Sequence, residues 1–593
     1  MGVRTWIQDW PVYRQLTGND PLGRGAATTS AATREQRPRT VTADKVVKSV
    51  CPYCAVGCAQ NVYVRDDRVV QIEGDPDSPV SRGRLCPKGS ASLQLTTGES
   101  RRHEVLYRRP YGTDWERLDL DTAMDMVVDR VIRTRREGWQ WERDGVDVNR
   151  TMGIASLGGA TLDNEENYLI KKLLTGLGVI QVENQARVCH SSTVAGLGTS
   201  FGRGGATTFL QDLQNADCIV IEGSNFAEAH PVGFQWVMEA KARGAKVIHV
   251  DPRFSRTSAL ADLYVPIRAG TDIAFLGGII NHILTGGHDF RDYVLEYTNA
   301  ASVVGEGFED TEDLAGIFSG LDPETGHYDI STWAYEGAEV QAPQGAPDEL
   351  YEDRTRRGAS LTTAAFSESH GSGGAPAAAE VPTDRTLRHP RCVYQILKRH
   401  FSRYTPEMVE RTCGIPQDTF LEVCRALVEN SGPDRTSEFV YAVGWTQHTV
   451  GAQYIRAASI LQLLLGNIGR PGGGIQALRG HASIQGSSDI PTLFNVLPGY
   501  IPMPHAHAHE DLDTFVEAVK TEKGFWGEMR SYVVSLLKAY FGDAAHADND
   551  YCFGHLPRLT GSHSTYHTVR EMLDGVCKGY FLMGENPAVG SAN

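Results

Sequence analysis

The sequence predicts a multi-domain α/β protein with a small cysteine-bearing module near its amino end. Three observations carry that expectation. Four cysteines, Cys51, Cys54, Cys58 and Cys86, follow the spacing C-x2-C-x3-C-x27-C. Beyond them, short apolar runs alternate with helical periodicity, as in 218–222, 231–243 and 246–250, which is the order of a βαβ unit. Three apolar runs end in a glycine and then polar, amide-bearing residues: Gly223 to Asn225, Gly444 to Gln447, and Gly584 to Asn586. At 593 residues the chain has room for about three to five domains.

Taken in order, residues 1–45 are polar, arginine-rich and weakly periodic, and read as an extension suited to docking a neighbour. Residues 46–106 hold the cysteines. The tight first three sulfurs suit three corners of a [4Fe-4S] cube that Cys86 closes, whereas a zinc ribbon, the competing reading, favours two matched C-x2-C knuckles. Residues 60–64 and 69–73 read as paired strands around a turn at 65–68. Helical apolar spacing follows over 118–136, with Asp119 and Asp121 near its start.

The adjacent Cys189 and His190 are flanked by Arg187 and Arg203. Arginines that lower a thiol pKa would make this a soft metal ligand beside a proton-transferring imidazole. The competing reading is a thiol and ring packed in a core. The βαβ unit at 218–250 leads to Asp251 and Pro252, a carboxylate placed for a ribose or base edge. It lacks G-x-G-x-x-G, which argues against NAD or FAD. Asp272, after Gly270, offers an acceptor for the paired N–H groups of a guanine; an ordinary βα loop is the alternative. Residues 336–388, rich in Gly, Pro, Ser and Ala, read as a flexible surface insertion.

A formal net charge of −16 argues against nucleic acid as a bulk partner, because phosphate neutralisation needs a basic face. The longest apolar run, 460–466, is far short of a membrane span. The amino terminus carries no export pattern, and the other seven of eleven cysteines are scattered without framework spacing, so a cytoplasmic address is expected.

Taken together, the cysteine set with Lys88, the runs at 188–190, 225–236, 251–254 and 444–448, and Leu478-Arg479-Gly480-His481 resemble the catalytic alpha subunits of molybdenum- or tungsten-dependent formate dehydrogenases. These belong to the bis-molybdopterin guanine dinucleotide oxidoreductases, and the resemblance runs from about residue 46 to the end. It implies a molybdopterin oxidoreductase fold, in which a [4Fe-4S] module over 46–106 precedes Rossmann-like α/β domains that bind two pterin guanine dinucleotides. One domain would be 185–479, holding the first pterin and the cysteine ligand. The other would join 107–184 to 480–593 around the second pterin. A carboxyl-terminal β domain that caps both pterins is expected to be absent, so that the chain reads either as a fragment or as half of a split enzyme whose other half is a separate chain.

The resemblance also implies roles. Cys51, Cys54, Cys58 and Cys86 would hold the cluster, and Cys189 the Mo or W. His190 would assist proton or hydride movement, Arg479 would grip the formate carboxylate, and Lys88 would stand between pterin and cluster. Gly223, Ser224, Asn225, Glu228, Asp251, Pro252, Gly270, Asp272, Gly444, Thr446, Gln447, Gly584 and Asn586 would bind the pterin nucleotides. Arg187, Arg203, Arg479 and His190 are expected to form a local positive funnel for an anionic substrate. Formate would become carbon dioxide, and the electrons would leave through the cluster to an iron-sulfur electron-transfer subunit, any membrane association coming through partner subunits. Two rival readings are a nitrate reductase-like molybdoenzyme, which the residues around Arg479 disfavour, and a metal-free cluster scaffold of a respiratory complex. His481, where some formate dehydrogenases have glutamine, is read as a subgroup mark.

Overall fold

The computed structural model describes residues 2–18, 30–326, 328–338, 381–521 and 525–590. Most of the expected insertion at 336–388 lies outside the described residues. The chain divides into two compact units, residues 1–51 with 58–101 and residues 52–57 with 102–593. Among the described residues no helix is long and apolar enough to cross a membrane.

The smaller unit is built on an antiparallel sheet of β1 (Lys45–Val50), β2 (Ala59–Arg65) and β3 (Arg68–Gly74), in that order. Asp66 and Asp67 turn β2 into β3 with φ of 51° and 57°, the left-handed pair that a two-residue hairpin favours and that Asp tolerates. The stretch expected as an extension with little periodicity contains short helices, Val3–Asp9, Pro11–Thr17 and Ala31–Glu35. Local chemistry explains two of them: Pro11 opens one at its first position, and the Ser30 hydroxyl accepts from the Thr33 N–H to cap another.

In the larger unit a hairpin of β4 (Val105–Tyr107) and β5 (Glu116–Leu118) precedes the helix Leu120–Glu137. Asp119 caps that helix, its carboxylate accepting from the Thr122 N–H at 2.9 Å. Then come β6 (Trp139–Arg143), β7 (Val146–Gly158) and β8 (Val179–Asn184). The far end of β7 is flanked by β8 and, from some four hundred residues later, by β16 (Gly579–Met583), both parallel to it.

Between these segments runs a five-stranded parallel sheet of β9 (Cys218–Glu222), β10 (Lys246–Val250), β11 (Leu263–Val265), β12 (Ser437–Tyr441) and β13 (Gly474–Ala477). Successive residues of β9 feed opposite faces. Cys218 and Val220 join a core with Leu276, Ile280, Phe420 and Ile455, while Ile219 and Ile221 join one with Phe234, Trp236 and Val247. A parallel sheet must be covered on both faces, and each such side chain contributes about 1.5–3 kcal/mol by leaving water. A short pair, β14 (Val496–Leu497) and β15 (Ile501–Pro502), completes the strands.

The strand order of the large sheet, β11-β10-β9-β12-β13, reverses direction between β9 and β12. Such a switch point opens a crevice at the carboxyl ends of the two strands. Those ends lead into Gly223 and Gly444.

Candidate functional site

Gly223 and Gly444 meet at that crevice. The Gly444 N–H donates to the Gly223 carbonyl at 3.0 Å, and a Cβ on Gly444 would stand 2.5 Å from that oxygen and 2.6 Å from the Gly223 Cα. Gly223 itself has φ +66°. Only glycine satisfies both demands. The gap they leave is a cavity of about 180 Å³ lined by Gly223, Ser224, Asn225, Asp251, Pro252, Asp272 and Gly444, all expected at a nucleotide, and by His448.

The other expected cofactor residues fall into four places. Gly270, with φ +83°, lies beside His448. Glu228 accepts from the Asn225 amide at 2.7 Å, the bond that chiefly lowers its carboxyl pKa, while Thr257 donates to the other end of that amide. Thr446 and Gln447 turn towards Cys189: the Thr446 hydroxyl donates to the Cys189 carbonyl at 2.6 Å, and the Gln447 amide to the Val188 carbonyl at 3.4 Å. Gly584 and Asn586 follow β16 in the other sheet, where the Gly159 N–H donates to the Met583 carbonyl at 2.6 Å.

Cys189 and His190 lie in the helix Ala186–Phe201, which springs from β8 and breaks its helical dihedrals at His190 (φ −130°, ψ 29°). Both side chains are buried, 4% and 1% exposed. His190 Nδ1 lies 3.0 Å from the Thr193 hydroxyl, which lies 2.7 Å from the Tyr441 hydroxyl, while His190 Nε2 has no hydrogen-bond partner. Arg479 arrives just beyond β13, its guanidinium donating to the Gly204 carbonyl at 2.5 Å. Its own carbonyl lies 2.7 Å from His230 Nε2 and accepts from the Ala55 N–H at 3.3 Å.

The electrostatics correct two expectations. Burial raises the Cys189 thiol pKa, against smaller lowering effects from the Gly480 N–H, Gln185 and Arg479, so flanking arginines do not activate it. The positive funnel shrinks as well. Arg187 forms a two-point ion pair with Glu183 at 2.9 and 3.1 Å and also donates to Asn495; Arg203 stands 3.7 Å from Asp489. Burial, helped by the Arg479 charge, drops His190 to about 3 and leaves it neutral. Of the four groups proposed, Arg479 is the one whose charge acts on both Cys189 and His190.

In the smaller unit, the Cys51 N–H donates to the Cys58 carbonyl at 2.8 Å, and both cysteines are buried. Cys86 precedes the short helix Pro87–Ser90 that contains Lys88, and the Gln60 amide clamps the Gly89 carbonyl and the Ser92 hydroxyl. Cys54 belongs to the segment 52–57 of the larger unit. Among the described residues no three His, Cys, Asp or Glu converge on one metal ion; a cube-shaped cluster instead gives each thiolate its own iron.

The residues of the larger unit suit a nucleotide-bearing metal cofactor. A buried thiol and an unpartnered buried imidazole nitrogen lie close along one helix, and the Ser224 hydroxyl is buried without a partner beside a cavity that glycines keep open. The sequence reading missed Glu222, Tyr441 and Trp445. Glu222 carried a signal, a lone charge ending an otherwise apolar strand.

Comparison with known proteins agrees with this layout. Residues 44–98 match the family described as the molybdopterin oxidoreductase Fe4S4 domain, and residues 113–593 match molybdopterin oxidoreductase. Formate dehydrogenase 2 subunit alpha (cytochrome c-553) of Nitratidesulfovibrio vulgaris is 42% identical over 553 residues, covering 92% of this chain and 50% of that protein. The formate dehydrogenase-O major subunit of Escherichia coli is 40% identical over 581 residues, covering 95% and 53%. The chain thus spans about half the length of these relatives. Among solved structures, acetylene hydratase from Pelobacter acetylenicus aligns with a TM-score of 0.47 and 17% identity, over 72% of this chain and 44% of that one. A [4Fe-4S] cluster and a molybdenum or tungsten bis-pterin guanine dinucleotide are the cofactors that go with the two family matches. With one match spanning the cysteine module and the other both α/β sheets, the chain belongs to the molybdopterin oxidoreductases.

Proposed function

We propose that this chain is the catalytic part of a formate dehydrogenase, oxidising formate to carbon dioxide, a proton and two electrons, with Cys189 as the protein ligand of molybdenum or tungsten. The observation that carries the reading is the convergence of Arg479 on Cys189 and His190, joined to the names of relatives about 40% identical. Held by Cys189, the metal centre would supply two-electron redox chemistry at the formate C–H bond, and a cluster held by Cys51, Cys54, Cys58 and Cys86 would supply one-electron transfer onward.

The chain's own residues do the rest. Arg479, held by its bond to the Gly204 carbonyl, presents its remaining N–H groups as a fork for a carboxylate, which lysine cannot imitate. The neutral His190 ring, its Nδ1 3.0 Å from the Thr193 hydroxyl, is placed to assist the proton or hydride that leaves formate. Burial of His190 and Cys189 limits the access of bulk water to the reacting end of the site. The two strand ends at Gly223 and Gly444 hold one pterin nucleotide, and the ends at Gly159 and Gly584 hold the other. Lys88 stabilises the electron path, and an iron-sulfur partner subunit takes the electrons onward.

The test is analysis for Mo, W and Fe on the chain purified anaerobically from its host with whatever accompanies it, beside a formate-to-viologen assay. About four Fe and one Mo or W per chain, with formate-dependent viologen reduction that Arg479→Lys abolishes, is the expected result. Iron without Mo or W and no turnover would overturn the proposal in favour of a cluster scaffold.

A further inference from the structure

Glu222, the last residue of β9, is 0% exposed, and neither of its carboxyl oxygens accepts a hydrogen bond from a described residue. An uncompensated carboxylate there would cost several kcal/mol. The groups that act on it are Asp272 and the Trp445 indole, whose own N–H is also buried without a partner. Asp272 lines the cavity at the switch point and is 5% exposed.

Two carboxyls facing each other in a dry site do not both ionise, and their environments decide which keeps the proton. Burial raises the Asp272 carboxyl too, but Asp272 opens the fifteen-residue helix Asp272–Gly286, takes support from its own backbone N–H, and shares its cavity with His448, each of which offsets part of that rise. The amino end of a helix favours negative charge. Glu222 has no such support and lies wholly out of water, so the charge settles on Asp272 and the proton on Glu222. Burial and the Asp272 charge accordingly hold Glu222 well above the carboxylate range.

We propose that Glu222 is a positioning residue: its protonated carboxyl donates to Asp272 and fixes that carboxylate as an acceptor-only edge, which selects a guanine base in the switch-point cavity. This rests on the cofactor reading above and adds what enforces the choice of base. Guanine presents two adjacent donors on its Watson–Crick edge, N1–H and N2–H. Cytosine and adenine present one donor beside an acceptor, which an ionised Asp272 repels. A protonated Asp272 would offer a donor as well as an acceptor, and would tolerate either.

The test measures nucleotide content, independent of turnover. The full chain is purified anaerobically from its host as wild type, Glu222→Gln, Glu222→Leu and Asp272→Asn; bases are released by acid and counted as GMP and CMP per chain, with thermal unfolding as a check on folding. Glu222→Gln, whose amide still donates, is expected to keep wild-type GMP. Glu222→Leu and the nearly isosteric Asp272→Asn are expected to fall at least about twofold. Wild-type GMP in a folded Glu222→Leu chain, or a fall in Glu222→Gln equal to that in Glu222→Leu, overturns the proposal. Should Glu222→Leu fail to fold, unchanged GMP in Asp272→Asn does so. Wild type without guanine nucleotide instead sinks the cofactor reading beneath it.

Discussion

Lys171 shows how far this fold goes to bury a charge-bearing group. It is 1% exposed in the helix Asn164–Gly176, and its ammonium nitrogen donates to the Leu493 carbonyl at 2.7 Å. Burial pulls its pKa from 10.5 to about 7, with Glu183 pulling up and Arg187 pushing down. The folded pKa is depressed, so between pH 7 and about 10.5 the unfolded chain holds a proton that the folded chain does not. Stability contributed at this site therefore rises with pH through that window, by about 1.4 kcal/mol per unit. Lys171→Met removes the titration. Wild type should gain roughly 2 kcal/mol on Lys171→Met between pH 7.5 and pH 9, read as a change in the difference of their unfolding temperatures; a difference that ignores pH would show Lys171 to be solvated. At this scale the sequence reveals a charge but not its partner. Arg187 looked like an activator of Cys189 because sequence places the two side by side, whereas the fold turns its guanidinium onto Glu183 and Asn495.

At the scale of elements, the contact of two strand ends decides whether the crevice exists. Gly444→Ala would drive a methyl into the Gly223 carbonyl, with backbone on both sides to be moved, and overpacking of this kind costs about 1–3 kcal/mol. Gly205, where a Cβ meets nothing within 4 Å, is the matched control. Gly444→Ala is expected to lower the unfolding temperature and strip guanine nucleotide, while Gly205→Ala stays within about 0.5 kcal/mol of wild type; equal behaviour of the two would mean that the strand ends yield. Individual strands were legible, since an apolar run closing on a glycine reads the same in sequence and structure at β9, β12 and β16. Their grouping was not. Gly223 and Gly444 share one crevice and Gly584 stands in another sheet because of strand order, a property set by pairings hundreds of residues apart. Glu222 escaped for a related reason: its meaning depends on Asp272, which only the β9-to-helix packing brings near.

At the scale of the whole molecule, the two units differ in what holds them. The larger rests on extensive cores around Phe275, Trp236 and Phe515. In the smaller, the apolar side chains buried among the described residues are Cys51, Cys58 and Ile72. Its ion pair of Lys48 with Asp75, 2.6 Å apart, has the lysine 60% exposed and so adds little. A unit of this size with so small a core ordinarily needs a staple, and metal ligation by thiolates supplies folding energy outright. Loss of the cluster should therefore unfold the smaller unit and spare the larger. Cys86→Ser in the full chain, purified anaerobically, is expected to lose most of its iron and to be cut by protease between residues 40 and 101, while a fragment from about residue 102 onward survives with its thermal transition retained. An iron-free chain that resists cleavage there would mean that the β1–β3 sheet stands on its own packing. Cleavage throughout the chain would mean that the larger unit, despite its cores, also depends on the cluster.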